Sequence, residues 1–363
     1  MRYRIVLALS LALIGAGCGG SNRLPPPHQL TFPTFLYVTN GAPGTISGFT
    51  LDYHPVPGSP FASQGATPMG ITSFGPFVYV ANRGSGSISG YSFDPKTGAL
   101  TPVSGSPFPA LAGVRSFAKC FGQSLYVVAE SGSISGYFPQ PSGELVPIPG
   151  SPWLAGTRPQ TAAIDASCKF AFVANTGSNN VSAFSINITT GALTPVPGSP
   201  FPAGIDPSSL VVEGKFLYVI NAGSNDISAF AIDANTGKLT PVPGSPFGGG
   251  QAPSSVTVLI CLYVANAGSN DISAYNIDTT TGALTPVGGS PFPAGRQPRW
   301  ATIGGQSFRD LPDQPFVHVA NGLSNDISVY RTDHASGALI SLPGSPFPAG
   351  TDPQSVVIAT APE

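Results

Sequence analysis

A tetrapeptide that recurs seven times constrains the fold of this chain more than any other sequence feature. Gly-Ser-Pro followed by an aromatic residue, which is Phe in every copy except Trp153, recurs about every 45 residues. The seven copies begin at Gly58, Gly105, Gly150, Gly198, Gly244, Gly289 and Gly344. A Val-containing segment closed by Asn recurs in step with six of them. Self-similarity at this period is typical of solenoids and propellers, in which each repeat is one small supersecondary unit.

The fifth repeat shows the expected secondary structure most clearly. We predict four strands in it, over residues 208–212, 215–221, 226–233 and 239–247. In the third of these segments, the residues alternate with a period of two, which indicates a strand and no helical stripe. The connections between the segments contain Gly, Asn and Asp, the residues that tight hairpin turns need. Each repeat is therefore predicted to be a small antiparallel sheet.

The chain ends indicate that seven such sheets close into a ring. One four-stranded sheet of this size cannot cover both of its faces, so the sheets must stack radially. Residues 35–40 correspond to the second strand of a repeat, and residues 354–360 correspond to the first. Pairing the two segments leaves no blade edge open. We predict an all-β fold for residues 34–363: a seven-bladed β-propeller of four-stranded antiparallel blades, closed by the C-terminal strand completing the first blade.

The N-terminus has the pattern of an export signal. Arg2 and Arg4 precede an apolar run over residues 5–14, which is followed by three small residues and Cys18. The run is too short to span a bilayer as a mature helix. Cys18 after small residues resembles the lipobox of bacterial lipoproteins, in which the thiol is acylated. We expect a signal peptide over 1–17, a lipid-anchored tether over 18–33, and an exported lipoprotein that faces the periplasm or the cell surface; simple secretion is the alternative.

Composition argues against several classes of partner. Only 9% of the residues are charged and the formal net charge is −2, so the chain lacks the basic surface that nucleic acids require. Cys120, Cys168 and Cys261 form no Cys-x-x-Cys pair, which speaks against a metal site. Cys120 and Cys168 fall at similar places in neighbouring repeats. The sequence allows two alternatives for them, a disulfide or two buried free thiols. We expect a monomer with no metal, no cofactor and no nucleic acid partner, whose membrane contact is the lipid anchor alone.

Three segments carry a resemblance to a known family. They are Tyr37-Val-Thr-Asn40, Tyr79-Val-Ala-Asn82 and Phe172-Val-Ala-Asn175, each followed by an Ile/Val-Ser strand and usually by Thr-Gly-x-Leu-Thr-Pro. They resemble the YVTN propeller repeats and the lactonase-type propellers, whose best-known members hydrolyse 6-phosphogluconolactone. The likeness covers essentially the whole mature chain. It implies a hydrolase that acts on a small sugar or anionic lactone; a non-catalytic, surface-anchored ligand-binding or scaffold propeller is the alternative.

The repeats differ most at the end of each loop between blades, just before the innermost strand. We assign this ring of positions to Thr67, Arg115, Arg158, Asp206, Ala252, Gln297 and Asp352. Because every blade needs the same scaffold, a position that varies while its neighbours repeat is a candidate for function. By the parity of four strands, the turn between strands two and three lies on the same face as this ring. We call it the top face.

Charge on the top face is concentrated on blades two to five. Arg83, Arg115 and Arg158 fall there together with Glu130, which we align with the Asn that closes the second strand elsewhere, and Asp206 opens blade five. Guanidinium groups can bind a carboxylate or phosphate through two parallel N–H donors. Glu130 can then activate water as a general base. The alternative is a surface ion pair between Arg115 and Glu130.

Blade seven offers a second candidate anion contact. Arg296 and Arg299 flank Pro298 there. His318 falls inside a strand of the same blade, and we expect its imidazole to point outward or to be packed rather than to be catalytic. The sequence contains no Gly-x-Ser-x-Gly or His-Glu-x-x-His motif. Its Ser-Asn-Asp turns lack the alternating carboxylates of a calcium loop, so we interpret them as turn caps.

Overall fold

The computed structural model describes residues 33–120, 123–304 and 315–361. The predicted signal peptide, Cys18 and all of the tether except its last residue lie outside these ranges. Within them, every regular element is a strand, and there is no helix long and apolar enough to cross a membrane. The strands form seven antiparallel sheets, which confirms the predicted seven-bladed β-propeller.

The blades share one strand order from the central channel outward. From blade one to blade seven, the innermost strands are Pro353–Thr360, Pro68–Phe74, Val114–Cys120, Pro159–Ile164, Pro207–Glu213, Pro253–Val258 and Pro298–Gly304. In the same order of blades, the second strands are Thr34–Asn40, Phe77–Asn82, Ser124–Ala129, Phe170–Asn175, Phe216–Asn221, Leu262–Asn266 and Phe316–Asn321. The third strands are Thr45–Thr50, Ser87–Phe93, Ser133–Pro139, Asn180–Ile186, Asp226–Ile232, Asp271–Ile277 and Asp326–Thr332.

The outer position of each blade is formed by short pieces rather than by one strand. In blades two to seven the first pieces are Leu100–Pro102, Leu145–Pro147, Leu193–Pro195, Leu239–Pro241, Leu284–Pro286 and Leu339–Ser341. The second pieces, from blade one, are Phe61–Ala62, Phe108–Pro109, Trp153–Leu154, Phe201–Pro202, Phe247–Gly248, Phe292–Pro293 and Phe347–Pro348. The single outer strand predicted over residues 239–247 is therefore wrong. Proline has no N–H to donate to the ladder, and beside it Ser245 Oγ takes the place of a backbone carbonyl by accepting a hydrogen bond from the N–H of Ala229 at 2.9 Å.

The aromatic residue of the repeated tetrapeptide packs between blades. Phe201 is 8% exposed and belongs to a hydrophobic cluster that joins Val181 of blade four to Leu217 and Phe230 of blade five. Each of the other clusters in the described residues also joins two adjacent blades. The core is thus divided over seven interfaces, and each blade buries its faces only against its neighbours.

The C-terminal strand completes blade one, as predicted. Pro353–Thr360 pairs antiparallel with Thr34–Asn40, and Phe35 lies opposite Ala359. The ring therefore closes by backbone hydrogen bonds within a blade as well as by packing between blades seven and one. Thr34–Asn40 is thereby paired on both sides, as the second strand is in every other blade.

A tyrosine on the second strand ties most blades to the next one. Tyr218 Oη donates to the carbonyl oxygen of Gly282 in the following blade at 3.0 Å. The same bond is made by Tyr37, Tyr79, Tyr126 and Tyr263. In blade seven, His318 holds this place, and its Nε2 lies 2.9 Å from Tyr53 Oη of blade one. His318 is fully buried, which confirms that it is packed.

A disulfide joins blades three and four. Cys120 ends the innermost strand of blade three, and Cys168 lies in the first hairpin turn of blade four. Their Sγ atoms are 2.11 Å apart and their Cα atoms are 5.5 Å apart. Of the two alternatives that the sequence left open, the structure has the disulfide, and it holds two blades together on the face opposite the top face.

Candidate functional site in the central channel

Each innermost strand carries a β-bulge near its start, and the bulged residue faces the channel. In blade four, Pro159 pairs with Asn175 and Thr161 pairs with Ala174, so Gln160 is left without a partner in the ladder. The corresponding residues of all seven blades line one cavity of about 430 Å³. They are Met69, Arg115, Gln160, Ser208, Ser254, Arg299 and Gln354. Because a bulge redirects a side chain, this ring forms the wall of the cavity.

The bulge register corrects the ring that we assigned from sequence. The residue just before the innermost strand has positive φ in every blade, as in Arg158 at 51° and Asp206 at 53°. In blade three this position is held by Gly113 with φ of 76°, and Arg115 is the bulged residue instead. Blade three has Val114 where the other blades have proline. The proline that marks the first residue of the innermost strand is therefore missing there, and the sequence alone did not align this strand with the others. Arg115 therefore belongs to the cavity wall, whereas Arg158 and Asp206 belong to the outer rim.

Glu130 does not occupy the position of the repeated Asn. Ala129 is the residue that ends the second strand of blade three, as Asn82 does in blade two. Glu130 is the first residue of the turn that follows, the place that Arg83 holds in blade two. This turn is one residue shorter than in blade two. For that reason the sequence did not show whether Glu130 aligns with the repeated Asn or with Arg83.

Arg83, Arg115 and Glu130 form an ionic group at the cavity rim, which we call the blade-three cluster. Nη2 and Nε of Arg83 donate to Oε2 of Glu130 at 2.9 and 3.1 Å, and Arg115 donates to Oε1. The side chains of Arg115 and Glu130 are 20% and 21% exposed. The surface pair that we considered is thus present, but it is half-buried and includes a second arginine from the neighbouring blade.

The charges of the blade-three cluster shift the pKa values of its members. Burial raises the pKa of Glu130, but the hydrogen bonds and charges of Arg83 and Arg115 outweigh burial, and the net pKa lies below the ordinary value. Burial lowers the pKa of the Arg115 guanidinium; Glu130 opposes this, while the charges of Arg83 and Arg158 add to it. Glu130 is therefore ionised at neutral pH, and it is a weaker base than an isolated carboxylate.

Arg299 is the second arginine in the cavity wall. Its Nη1 lies 2.8 Å from Oδ1 of Asp352, and its Nη2 donates to Oε1 of Gln297 at 2.9 Å. We call Arg299, Gln297 and Asp352 the blade-seven cluster. Asp352 belongs to blade one, so the ion pair spans the interface at which the ring closes. A Cβ added to Gly322 would lie 2.2 Å from Arg299 Nε, so glycine leaves the room that the guanidinium occupies.

Four of the predicted ligand-binding residues do not line the cavity: Arg83, which lies at its rim, and Arg158, Asp206 and Arg296. The side chains of Arg158, Asp206 and Arg296 are exposed on the top face. Their backbone is held in place by neighbouring blades, as in the hydrogen bond of 2.9 Å from the Asp206 N–H to Asn179 Oδ1. Of the predicted site residues, the structure brings Arg83, Arg115 and Glu130 together and places Arg299 on another part of the wall.

Neutral polar side chains complete the ring, and they were not predicted from the sequence. Ser208 Oγ donates to the carbonyl of Pro253 at 2.7 Å, and Ser254 Oγ donates to that of Pro298 at 2.6 Å. These two hydroxyls connect adjacent innermost strands. Further amides and hydroxyls in the lining come from Ser116, Gln160, Thr161, Gln354 and Ser355. The signal that could have found the ring is the residue after the recurring proline.

The described residues contain no group of three or more His, Cys, Asp or Glu placed to hold a metal ion. The Ser-Asn-Asp turns instead hold backbone and side chains together. Asp226 Oδ1 accepts a hydrogen bond from Asn221 Nδ2 at 2.6 Å. Asn225 Oδ1 accepts one from the N–H of Ala252 in the next blade at 2.7 Å. These turns therefore cap the blade and fix the start of the following innermost strand.

Sequence comparison relates the C-terminal half of the chain to one family. Residues 196–303 and 261–351 match the family described as "Lactonase, 7-bladed beta-propeller". No curated protein matches the chain in sequence. The two matched ranges overlap and run from the end of blade four into blade one's closing loop, so they contain the repeat in its most regular copies.

Solved structures share the whole architecture. A candidate 6-phosphogluconolactonase from Bacteroides fragilis is 19% identical with a TM-score of 0.72, covering 92% of this chain and 99% of that chain. The periplasmic gluconolactonase of Pseudomonas aeruginosa is 18% identical with a TM-score of 0.72, covering 91% and 99%. A protein from Lactobacillus plantarum is 17% identical with a TM-score of 0.72, covering 91% and 100%. Identities this low concern the fold alone. By its fold the chain is a seven-bladed β-propeller, and within it residues 196–351 are similar to the seven-bladed lactonase family.

Proposed function

We propose that this protein binds a small sugar or anionic lactone in the central cavity and hydrolyses it. The observation that carries the proposal is the pair Arg115 and Arg299 in a cavity wall that is otherwise neutral. In lactone hydrolysis, the oxygen of water bonds to the carbonyl carbon and the ring C–O bond breaks; one proton of the water passes to the released alkoxide, which becomes a hydroxyl group, and the other is released to solvent as the acid ionises. The tetrahedral intermediate carries an oxyanion and the product is a carboxylate. Guanidinium donors in a partly enclosed cavity stabilise both.

Glu130 has two candidate roles in this reaction. Because it is ionised, it can accept a proton from the attacking water as a general base, although its lowered pKa limits the driving force. In the other role it positions Arg83 and Arg115 through the hydrogen bonds that it accepts from them. Glu130→Gln separates the two. Loss of a base lowers kcat and removes the acidic limb of the pH–rate profile, whereas loss of positioning raises KM and leaves the profile in place.

Turnover of a lactone panel by the purified full chain tests the proposed reaction. The panel contains glucono-1,5-lactone, its 6-phosphate and an uncharged aliphatic lactone. We expect hydrolysis of a sugar lactone above the spontaneous rate, and at least a tenfold loss of kcat/KM in Arg115→Gln and in Arg299→Gln. Arg296→Gln is the matched control, because this exposed arginine precedes Arg299 by three residues, and we expect a change below twofold. Folded protein that turns over nothing in the panel would overturn the proposal.

A binding propeller without catalysis is the second candidate. It is favoured by the ion pairs of Arg115 and Arg299, since both guanidinium groups already have a carboxylate partner, and by the lack of histidine in the described lining of the cavity. This candidate predicts that calorimetry detects ligand binding while no product forms.

We also propose that the protein is exported and anchored through an acylated Cys18. The disulfide between Cys120 and Cys168 supports an oxidising compartment. A fold relative named a periplasmic gluconolactonase supports lactone chemistry outside the cytoplasm. Labelled fatty acid should be incorporated into the chain and should be absent from Cys18→Ser. Label that persists in the variant would contradict the anchor.

A further inference from the structure

We infer that the central cavity holds its ligand in one orientation, with an acid group at the blade-three cluster and hydroxyl groups at the blade-seven cluster. The ligand class is then a polyhydroxy acid with a single negative charge, or the uncharged lactone from which that acid forms, whose carbonyl oxygen takes the place of the acid group. This inference rests on the site of the proposed function, but it concerns binding and does not require catalysis.

The two clusters differ in net charge. The blade-three cluster contains two guanidinium groups and one carboxylate, Glu130, which bonds to both. It therefore has an excess of one positive charge. Arg158 adds to this, because its charge reaches Arg115 strongly enough to affect the pKa of that group. A carboxylate of the ligand finds a net attraction here and can take charge-assisted hydrogen bonds from Arg115.

The blade-seven cluster is neutral overall. The single guanidinium of Arg299 is balanced by Asp352 at 2.8 Å, and its remaining donors are shared with Gln297. Gln354 Nε2 donates to the backbone carbonyl of Asp352 at 3.0 Å, which places an amide beside the pair. A guanidinium next to a carboxylate and amides offers both donors and acceptors, as sugar hydroxyls require. A second carboxylate in this place would face the negative charge of Asp352.

The clusters lie far apart around the ring. Blades four, five and six separate blades three and seven on one side, and blades one and two separate them on the other. The bulged residues on both arcs are uncharged: Gln160, Ser208 and Ser254 on one side, and Gln354 and Met69 on the other. A ligand that contacts both clusters must therefore cross the cavity, with its charge at one end and uncharged polar groups at the other. The exposed Arg296 does not line the wall and does not alter this arrangement.

Calorimetric binding of three probes by the full chain tests the orientation. The probes are gluconate, with one acid group; glucarate, with two; and glucitol, with none. We expect gluconate to bind at least tenfold more tightly than either of the others. Arg115→Gln should weaken gluconate at least tenfold, and Arg296→Gln should change it less than twofold. Asp352→Asn should raise the affinity for glucarate relative to gluconate at least fivefold, because it makes the blade-seven cluster positive while keeping an acceptor for Arg299.

The outcomes separate this inference from the proposed reaction. Gluconate binding with the expected variant effects but without lactone turnover supports the orientation and refutes the hydrolase. Lactone turnover with equal binding of glucitol and gluconate, or with tighter binding of glucarate by the unaltered chain, overturns the orientation and leaves the hydrolase standing. An Asp352→Asn variant that folds, binds gluconate and shows an unchanged preference between the two acids also overturns it.

Discussion

The interface that closes the ring should make this propeller less stable in weak acid. His318 is fully buried between blades seven and one, and its Nε2 lies 2.9 Å from Tyr53 Oη. The Tyr53 ring stacks on Phe347 with a centroid distance of 3.9 Å, so the contact has little room to rearrange. Burial lowers the pKa of His318 from 6.5 to about 4. The imidazole of the unfolded chain keeps a pKa of about 6.5.

The size and sign of the effect follow from these two pKa values. Between about pH 6.5 and pH 4 the unfolded chain binds a proton at this histidine and the folded chain does not, so the free energy of unfolding falls as the pH falls. The full contribution is retained above about pH 6.5. At about 1.4 kcal/mol per pKa unit, the loss across the whole window is about 3 kcal/mol, most of it reached by about pH 4.5.

Urea unfolding at pH 7.5 and pH 4.5 measures this contribution. His318→Gln keeps a polar atom near the position of Nε2 and cannot titrate in this range. Carboxylates elsewhere destabilise both proteins alike, so the wild type should lose roughly 2–3 kcal/mol more than the variant between the two pH values. His54→Gln is the matched control, because His54 is exposed beside Tyr53, and it should behave as the wild type. If the wild type and His318→Gln lose the same stability, the buried imidazole does not carry the effect.

Two further predictions concern the interfaces between blades. Phe201→Ala should lower the free energy of unfolding by about 3–5 kcal/mol because it empties a buried site between blades four and five. Ile188→Ala is the control, because Ile188 is 61% exposed, and it should change the free energy of unfolding by less than about 0.5 kcal/mol. A denaturant titration in which Phe201→Ala loses less than about 1 kcal/mol would contradict the packing role. Removing the disulfide between Cys120 and Cys168, which are 48 residues apart, should cost about 4 kcal/mol by loop entropy. Unfolding of the Ser-Ser double variant measures this, and a variant as stable as the oxidised wild type would show that blade packing alone holds the two blades.

Most of the architecture could be read from the repeat. Seven Gly-Ser-Pro-aromatic copies set the number of blades, and the period of two set the strands, since both are local patterns that each blade repeats. The matching ends of the chain also predicted how the ring closes. What local pattern could not show was that the outer strand is broken, because that depends on Ser245 and its equivalents replacing a backbone carbonyl as the acceptor in the ladder.

The candidate site depended on register between strands and on contacts between blades. Arg115 and Arg299 were recognised as charged residues in a chain with little charge, but their place in one cavity wall follows from a bulge that only strand pairing reveals. Blade three obscured this register because Val114 replaces the recurring proline and its turn is one residue shorter. Asp352 next to Arg299 was not predicted as a pair, since the two residues meet only when the last strand returns to blade one. Composition and periodicity thus decide which elements form and which faces are apolar, because both properties depend on residues that are close together in the sequence. Which charges face each other is decided between blades, by the closure of the ring.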